Sequence, residues 1–224
     1  MQKNLFIVMA LVAGLLVTGC SHKKTTYSGF LRDYSGLQKG PKGGPDLVYK
    51  KPGVDFSKYK KVLVEPVVFY LKKDAEAKGI QPKVMAELED AFEKEIVKAL
   101  NGAYPMVDKP GPDVLRIRIA ITDVEPSNPT LGTVGAVMPA GMAINLISNV
   151  TTGSSVNVGS ASMEAEFIDS ETGEVIGKVV DHIEGSTYDT ATLKGKWGHT
   201  KKAFQQWAQM LRKWLDSVHG RNGS

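Results

Sequence analysis

The chain has 224 residues, with 28 Lys and Arg against 24 Asp and Glu, a formal net charge of +4 and a single cysteine. This length is enough for one domain with a sizeable hydrophobic core. The small basic excess is scattered along the chain and gives no nucleic-acid-binding signature. One cysteine also excludes an intramolecular disulfide.

Residues 1–19 have the layout of a secretory signal peptide. Lys3 provides a positive charge, and an apolar run interrupted only by small residues follows over 5–17. A spanning helix needs about 20 apolar residues, so this run is too short. A charged start, a short apolar stretch and small residues at its end are typical of a signal that is removed.

The only cysteine, Cys20, follows this stretch directly, in the sequence Val17-Thr18-Gly19-Cys20. The tetrapeptide resembles the lipobox of bacterial lipoproteins, in which the cysteine sulfur receives diacylglycerol and the new amine is acylated, for example with palmitate. The alternatives are a plain secretory signal with a chance cysteine, or a buried thiol. Several acyl chains on one residue anchor a protein stably. We therefore expect Cys20 to be lipidated and to attach the protein to a membrane.

Residues 20–58 are predicted to form a lipidated tether and a connection to the folded body. The apolar residues of 27–38 recur at helical spacing, which favours a short amphipathic piece packed on the domain. They are Tyr27, Phe30, Leu31, Tyr34 and Leu37. The stretch 39–53 is rich in glycine and proline and is expected to be irregular and extended.

The folded body is predicted to cover 59–224. A β-branched and aromatic run over 60–70 predicts a strand that Pro66 interrupts or ends. A helix is predicted over 82–100, because a proline opens it, apolar residues form one stripe along it and an Asn-Gly pair follows its end.

Two later regions alternate between apolar and polar residues. Such alternation over 113–126 indicates a strand of a sheet that is covered on one face and wetted on the other. The region 160–185 reads as a β-hairpin, in which Gly173 supplies the positive φ of a short loop.

Charged residues of these strands are predicted to share the exposed face. Glu164 and Glu166 lie on one strand face, as paired carboxylates for glycoside cleavage would. If the strands are neighbours, Arg116 and Arg118 neutralise them across the sheet, which favours a structural interpretation.

The last predicted element is a helix from about Trp197 or His199 to Val218. Its apolar residues are Trp197, Phe204, Trp207, Leu211, Trp214 and Val218. Their spacing leaves a coiled-coil or dimer interface open, but the bulky aromatics favour packing onto the sheet. The order of elements predicts a single α+β domain with a mostly antiparallel sheet and two main helices packed on one face.

A long apolar loop is predicted over 125–159, and its part 131–150 carries no charge. Pro139 and several polar residues make it a poor membrane span. Exposed apolar patches usually mark contact sites, whereas the alternative is a loop that covers the domain's own core. The possible partner or ligand contacts are Val137, Met138, Met142, Ile144 and Ile147.

Three stretches resemble successive landmarks of one bacterial lipoprotein family, known as domain of unknown function 3313. They are SGFLRDYSGL at 28–37, GSASMEAEFIDSETGEVIG at 159–177 and FQQWAQML at 204–211. The resemblance spans essentially the whole mature chain. It implies a Gram-negative envelope lipoprotein and brings no catalytic residues with it.

The sequence contains no catalytic, metal or cofactor motif that we recognise. The histidines lack metal-ligand spacing, and the nucleophile elbow, phosphate loop and dinucleotide fingerprint are absent. His182 and Glu184 share a strand face and could form an acid/base pair, although a solvated strand face is commoner.

We therefore expect a lipoprotein of the outer membrane that faces the periplasm, because Ser21 rather than aspartate follows Cys20. Its expected role is structural or protein-interacting, with an unidentified envelope partner, no catalysis, no cofactor and no nucleic acid. The alternative is a carrier or sensor for a lipid or another small apolar ligand. A filled core would favour the first role, and an open apolar cavity the second.

Overall fold

The computed structural model describes residues 26–127, 159–185 and 195–221. Within these ranges a seven-stranded sheet carries two α-helices on one face, which confirms the predicted α+β domain. The strands are β1 (Gln38–Lys39), β2 (Leu47–Lys50), β3 (Lys61–Val64), β4 (Val68–Phe69), β5 (Val114–Glu125), β6 (Ser160–Asp169) and β7 (Val175–Glu184). The helices are α1 (Pro82–Leu100) and α2 (Gly198–Val218).

The strands follow the order β1-β2-β7-β6-β5-β3, and β4 also pairs with β5. The pairs are antiparallel except that β3 and β4 run parallel to β5. β6 and β7 form the predicted hairpin, and Gly173 has a φ of 74° in its loop. The predicted interruption at Pro66 separates β3 from β4, because proline has no N–H to donate to the sheet.

Helix α1 satisfies the backbone at this interruption. The N–H of Val67 donates to Glu93 at 2.8 Å, and the N–H of Phe69 donates to Glu89 at 2.9 Å. These side-chain acceptors replace the partners that a continuous strand would supply. They also tie α1 to the chain at β4.

The main core lies between the two helices and the inner face of the sheet. Phe92 of α1 stacks on Phe204 of α2, with ring centroids 4.6 Å apart. Both rings are almost completely buried, as are Ile117 and Ile121 of β5 beneath them. Phe204 and Trp207 of the apolar stripe are therefore packed within the chain, as the packing interpretation predicted.

The outer face of the sheet is covered by the N-terminal segment 26–37. Phe30 and Leu31 are buried there against Ala120 of β5 and Val180 of β7. The segment packs on the domain as predicted, but it is a series of turns rather than a helix. Apolar residues spaced by three and four also line one side of consecutive turns, so spacing alone did not distinguish the two.

The expectation of an irregular, extended connection over 39–53 is wrong for 47–50. β2 lies within it and pairs with β7 from Leu47↔Val180 to Lys50↔Gly177. The sheet consequently begins before residue 59, where the folded body was predicted to start. The four-residue strand was hidden by the glycines and prolines that precede it, because they dominate the local composition.

The arginines and glutamates share one face of the sheet, as predicted. The prediction that this face is exposed is wrong. Arg118 lies opposite Glu166 and its Nη1 donates to the carboxylate at 2.6 Å. Arg116 instead pairs with Glu65. Glu164 and Glu166 are only 1% and 3% exposed, because the N-terminal segment covers this face.

Candidate functional site

An open apolar groove of about 660 Å³ lies between α2, β2 and the inner face of the β6–β7 hairpin. Ligand sites of proteins are concave, mostly apolar and of roughly 300–1,000 Å³, so the groove has the size of a small-molecule site. Its apolar side chains are Val48, Phe56, Met163, Phe167, Val179, Trp207, Met210, Leu211 and Trp214, together with Pro41 and Pro45.

The groove follows from the position of α2 over the sheet. α2 packs over β6, while β7 and β2 extend the sheet beyond it. The inner-face side chains Val48 and Val179 therefore remain only half-buried. A smaller cavity of about 30 Å³ shares Met163, Trp207 and other lining residues with the groove and reaches towards the core.

The loop 40–46 forms the wall opposite α2. Its ends are joined by a hydrogen bond from the Gly40 N–H to the Asp46 carbonyl at 2.8 Å. A Cβ at residue 40 would lie 1.7 Å from the Pro45 carbonyl oxygen, so this position requires glycine. The Gly-Pro composition that suggested an irregular connection thus builds a closed loop beside the groove.

A buried carboxylate joins three sides of the groove. Asp181 of β7 is 4% exposed and accepts a hydrogen bond from Trp207 Nε1 at 2.6 Å. Its second oxygen accepts from the N–H of Asp46 at 2.8 Å. Burial raises the pKa of the Asp181 carboxyl. The interactions hold α2 and the start of β2 at a fixed separation across β7.

Trp214 is the central aromatic of the groove. Its ring centroid lies 4.9 Å from that of Phe167 and 5.3 Å from that of Phe56. The Lys50 Nζ lies 5.8 Å from the same ring centroid. The Trp214 Nε1 is shielded from solvent and has no hydrogen-bond acceptor in the described part of the chain.

The charges around the groove have one sign. Lys42, Lys50 and Lys213 line it and are exposed, whereas no aspartate or glutamate of the described residues lines it. Within 26–127, 159–185 and 195–221, these three lysines form no ion pair. The fourth lining lysine, Lys178, points its ammonium to the outer face, where it binds Asp33 at 2.7 Å.

The carboxylates considered for glycoside cleavage have structural partners. Glu164 accepts hydrogen bonds from the N–H and the hydroxyl of Ser28, at 2.9 and 2.7 Å. It also accepts from the Tyr34 hydroxyl at 2.7 Å. Burial and this hydrogen bond raise the pKa of Tyr34 to about 12. We call Ser28, Tyr34 and Glu164 the outer-face latch, because they fasten the N-terminal segment to β6.

His182 and Glu184 lie on one strand face as expected, with His182 Nε2 3.5 Å from the glutamate. Both side chains are exposed. His182 Nδ1 lies 2.9 Å from the Ser162 hydroxyl. This geometry agrees with the solvated strand face that the sequence favoured.

The residues that the sequence singled out for attachment and contact lie outside the described ranges. They are Cys20 and the five apolar residues Val137, Met138, Met142, Ile144 and Ile147. The described helices include none that is both long and apolar enough to cross a membrane. The described residues also bring together no cluster of three or more potential metal ligands.

Sequence reasoning missed the groove. Trp207, Leu211 and Trp214 were recognised as one helix face, but all of this face was interpreted as core. The available signal was that this helix face carries more large aromatic side chains than contact with a single sheet can bury. The wall opposite this helix face could not be predicted, because β2 was not predicted.

The family model described as "Protein of unknown function (DUF3313)" matches residues 26–211. The protein named "Uncharacterized lipoprotein YdcL" of Escherichia coli strain K12 is 31% identical over 192 residues, which cover 83% of this chain and 85% of that protein. The protein of the same name from Escherichia coli O157:H7 gives the same figures.

Solved structures show weaker likeness. The PelC dodecamer from Paraburkholderia phytofirmans matches with a TM-score of 0.39 and 9% identity, over 74% of this chain and 94% of that one. A putative neuraminyllactose-binding hemagglutinin homolog from Helicobacter pylori matches with a TM-score of 0.36 and 14% identity, over 76% and 89%. At these scores neither protein informs the function of this chain.

Proposed function

This chain belongs to the family described as protein of unknown function DUF3313, and we propose that it is an envelope lipoprotein whose domain binds an apolar ligand in the groove beside α2. The observation that carries the proposal is the open apolar groove. A structural role alone would be served by a filled core, whereas the described residues place two tryptophans and several aliphatic side chains around an open space.

We place the protein at the outer membrane, with its domain on the periplasmic face. The lipobox-like sequence that ends at Cys20 and the serine that follows it support this placement. Cys20→Ser is expected to abolish acyl labelling and to block cleavage after Gly19, because the acceptor thiol is lost. Fractionation of the wild type into the cytosol, or unchanged acyl labelling of Cys20→Ser, would contradict it.

The proposed activity is binding without catalysis. The described lining of the groove consists of apolar side chains, glycines, a tyrosine, a serine and lysines. Such a lining favours burial of an apolar molecule, and it offers no acid/base pair among the described residues. The ligand is held by apolar contact, at about 25 cal/mol per Å² of apolar area removed from water.

The lipid content of the purified protein tests this function. Met210 lines the groove and is half-buried, whereas its neighbour Gln209 is exposed and outside the lining. We expect full-length wild type and Gln209→Glu to carry extractable apolar ligand, as measured by mass spectrometry. Met210→Glu should lose it, because a carboxylate in the apolar wall opposes burial of hydrocarbon. Equal ligand content in the three proteins would refute the groove as the site.

The structural or protein-interaction role remains a second candidate, on the basis of the uncharged residues 131–150. In that case Ala143→Asp and Ile144→Asp should weaken association with an envelope partner while leaving folding and Cys20 processing intact. Loss of folding in both variants would mean that the segment is core.

A further inference from the structure

We propose that the groove takes an acyl chain of an anionic phospholipid and holds the negatively charged head at the exposed lysines of its lining, Lys42, Lys50 and Lys213. This inference rests on the proposed apolar-ligand function and specifies the chemistry of the ligand. Its two supports are the apolar interior of the groove and the single sign of the charges around it.

The interior suits hydrocarbon better than a peptide. A peptide brings backbone N–H and C=O groups that need partners when they are buried. The groove offers few, since the hydroxyl of Ser217 in its lining already donates to the Trp214 carbonyl at 2.7 Å. An acyl chain needs no such partners. It can extend along Met163 and Trp207, which also line the smaller cavity below.

The exposed lysines of the lining suit a negatively charged head group. Lys50 and Lys213 approach the groove from β2 and α2, and Lys42 approaches from the loop opposite α2. The ammonium of Lys50 lies 5.8 Å from the Trp214 ring centroid, so a cation stands beside the apolar interior. Three lysines in the lining, with no carboxylate among its described residues, attract an anion and favour it over a neutral or cationic head.

The buried acid of the groove does not reverse this preference. Both oxygens of Asp181 are occupied, one by Trp207 Nε1 and the other by the Asp46 N–H. The residue is 4% exposed and does not line the open space. Among the described residues, the charged side chains that line the open space are therefore those of the lysines.

Tryptophan fluorescence can test the proposal in the full-length lipoprotein in nonionic detergent. The chain has three tryptophans, and two of them, Trp207 and Trp214, line the groove. The probes are lysophosphatidylglycerol with a brominated acyl chain, which is anionic, and monoacylglycerol with the same chain, which is neutral. Bromine quenches an indole that it contacts, so quenching reports an acyl chain in the groove.

We expect both probes to quench, with the anionic probe acting at lower concentration. The double variant Lys50→Gln/Lys213→Gln should bind the anionic probe roughly twofold to thirtyfold more weakly and leave the neutral probe unchanged, because exposed charge pairs contribute modestly each. The matched control Lys83→Gln/Lys109→Gln removes the same charge at exposed positions outside the lining. It should bind like the wild type.

The outcomes separate this inference from the function on which it rests. Equal binding of both probes by the wild type, or equal effects of the two lysine pairs, overturns the anionic head group and leaves apolar-ligand binding in place. If neither probe quenches the fluorescence, both the anionic head group and apolar-ligand binding in the groove are overturned. A groove that is closed by a second copy, with dimers lost in Met210→Glu, would also overturn both.

Discussion

Arg116 and Arg118 lie on the same face of β5, yet they have different surroundings. The Arg118 guanidinium lies over the Phe30 ring at 4.9 Å and pairs with the buried Glu166. Arg116 pairs with Glu65 at the partly exposed sheet edge, and Arg118 Nε also lies 3.3 Å from this carboxylate. The sequence predicted the shared face from strand alternation. It could not predict this difference, which depends on where the N-terminal segment packs.

The two arginines form a matched pair of substitutions. Arg118→Ala should lower the free energy of unfolding by about 1–3 kcal/mol, because it leaves the buried Glu166 without its donor. Arg116→Ala should lower it by only about 0.2–1 kcal/mol, because its ion pair is partly exposed and Glu65 keeps Arg118 as a partner. Urea unfolding measures both values. An Arg118→Ala effect no larger than that of Arg116→Ala would contradict the burial of Glu166.

Asp169 makes stability depend on pH. It accepts hydrogen bonds from Lys58 Nζ and the Tyr59 hydroxyl, both at 2.8 Å. Its other oxygen accepts from the N–H of Thr172 at 3.1 Å. Burial alone would raise the pKa of this carboxyl, but these hydrogen bonds outweigh burial and hold the pKa well below its ordinary value of 3.8.

A carboxyl with a lowered pKa stabilises the folded state above its ordinary pKa, and this contribution disappears as the pH falls through the folded-state pKa. Wild type should therefore exceed Asp169→Asn in stability at neutral pH, and the gap should narrow below about pH 4. Unfolding at several pH values measures the gap. Asp90→Asn, at an exposed site on α1, is the control; a pH-independent gap for Asp169→Asn would refute the assignment.

At the scale of elements, the N-terminal segment 26–37 forms a layer of the domain. The outer-face latch fastens it to β6, and the Tyr34 hydroxyl also accepts from the Gly29 N–H at 2.7 Å. A carboxyl that accepts three hydrogen bonds from one segment ties that segment to the sheet strongly. The proposed lipidation site, Cys20, thus lies eight positions before Ser28, the first residue of the latch.

Removing one hydroxyl tests the latch. Tyr34→Phe should lower the free energy of unfolding by about 1–3 kcal/mol, because the buried Glu164 loses a donor. Amide hydrogen exchange over 27–37 should accelerate with it. Tyr27 stacks on Tyr34, with ring centroids 4.0 Å apart, and is 38% exposed. Tyr27→Phe is therefore the control, and equal acceleration in both variants would show that the latch does not hold the segment.

Regular elements were predictable where periodicity extends over many residues, and short ones were not. Helices α1 and α2, strand β5 and the β6–β7 hairpin follow from long apolar patterns. β2 has four residues, and its strand conformation depends on pairing with β7 rather than on its own pattern. β2 forms one wall of the groove. Because β2 was not predicted from the sequence, the groove was not predicted either.

For the whole molecule, the latch and the proposed anchor at Cys20 together would limit how far the sheet can lie from the membrane. Ser28 follows Cys20 by eight positions, and a fully extended chain spans at most about 3.3–3.6 Å per residue. A lipidated Cys20 would therefore keep the outer face of the sheet within about 30 Å of the bilayer. The groove lies on the opposite, helix-bearing face of the sheet.

Photo-crosslinking in living cells tests the central claim, an apolar ligand in the groove, most directly. A photoreactive amino acid is placed at position 210, inside the groove, or at position 209 as the control outside it. Mass spectrometry of the purified chain then identifies what each position contacts. We predict a lipid-mass adduct at position 210 and none at position 209. Protein adducts alone at position 210, or lipid adducts equally at both positions, would contradict the claim.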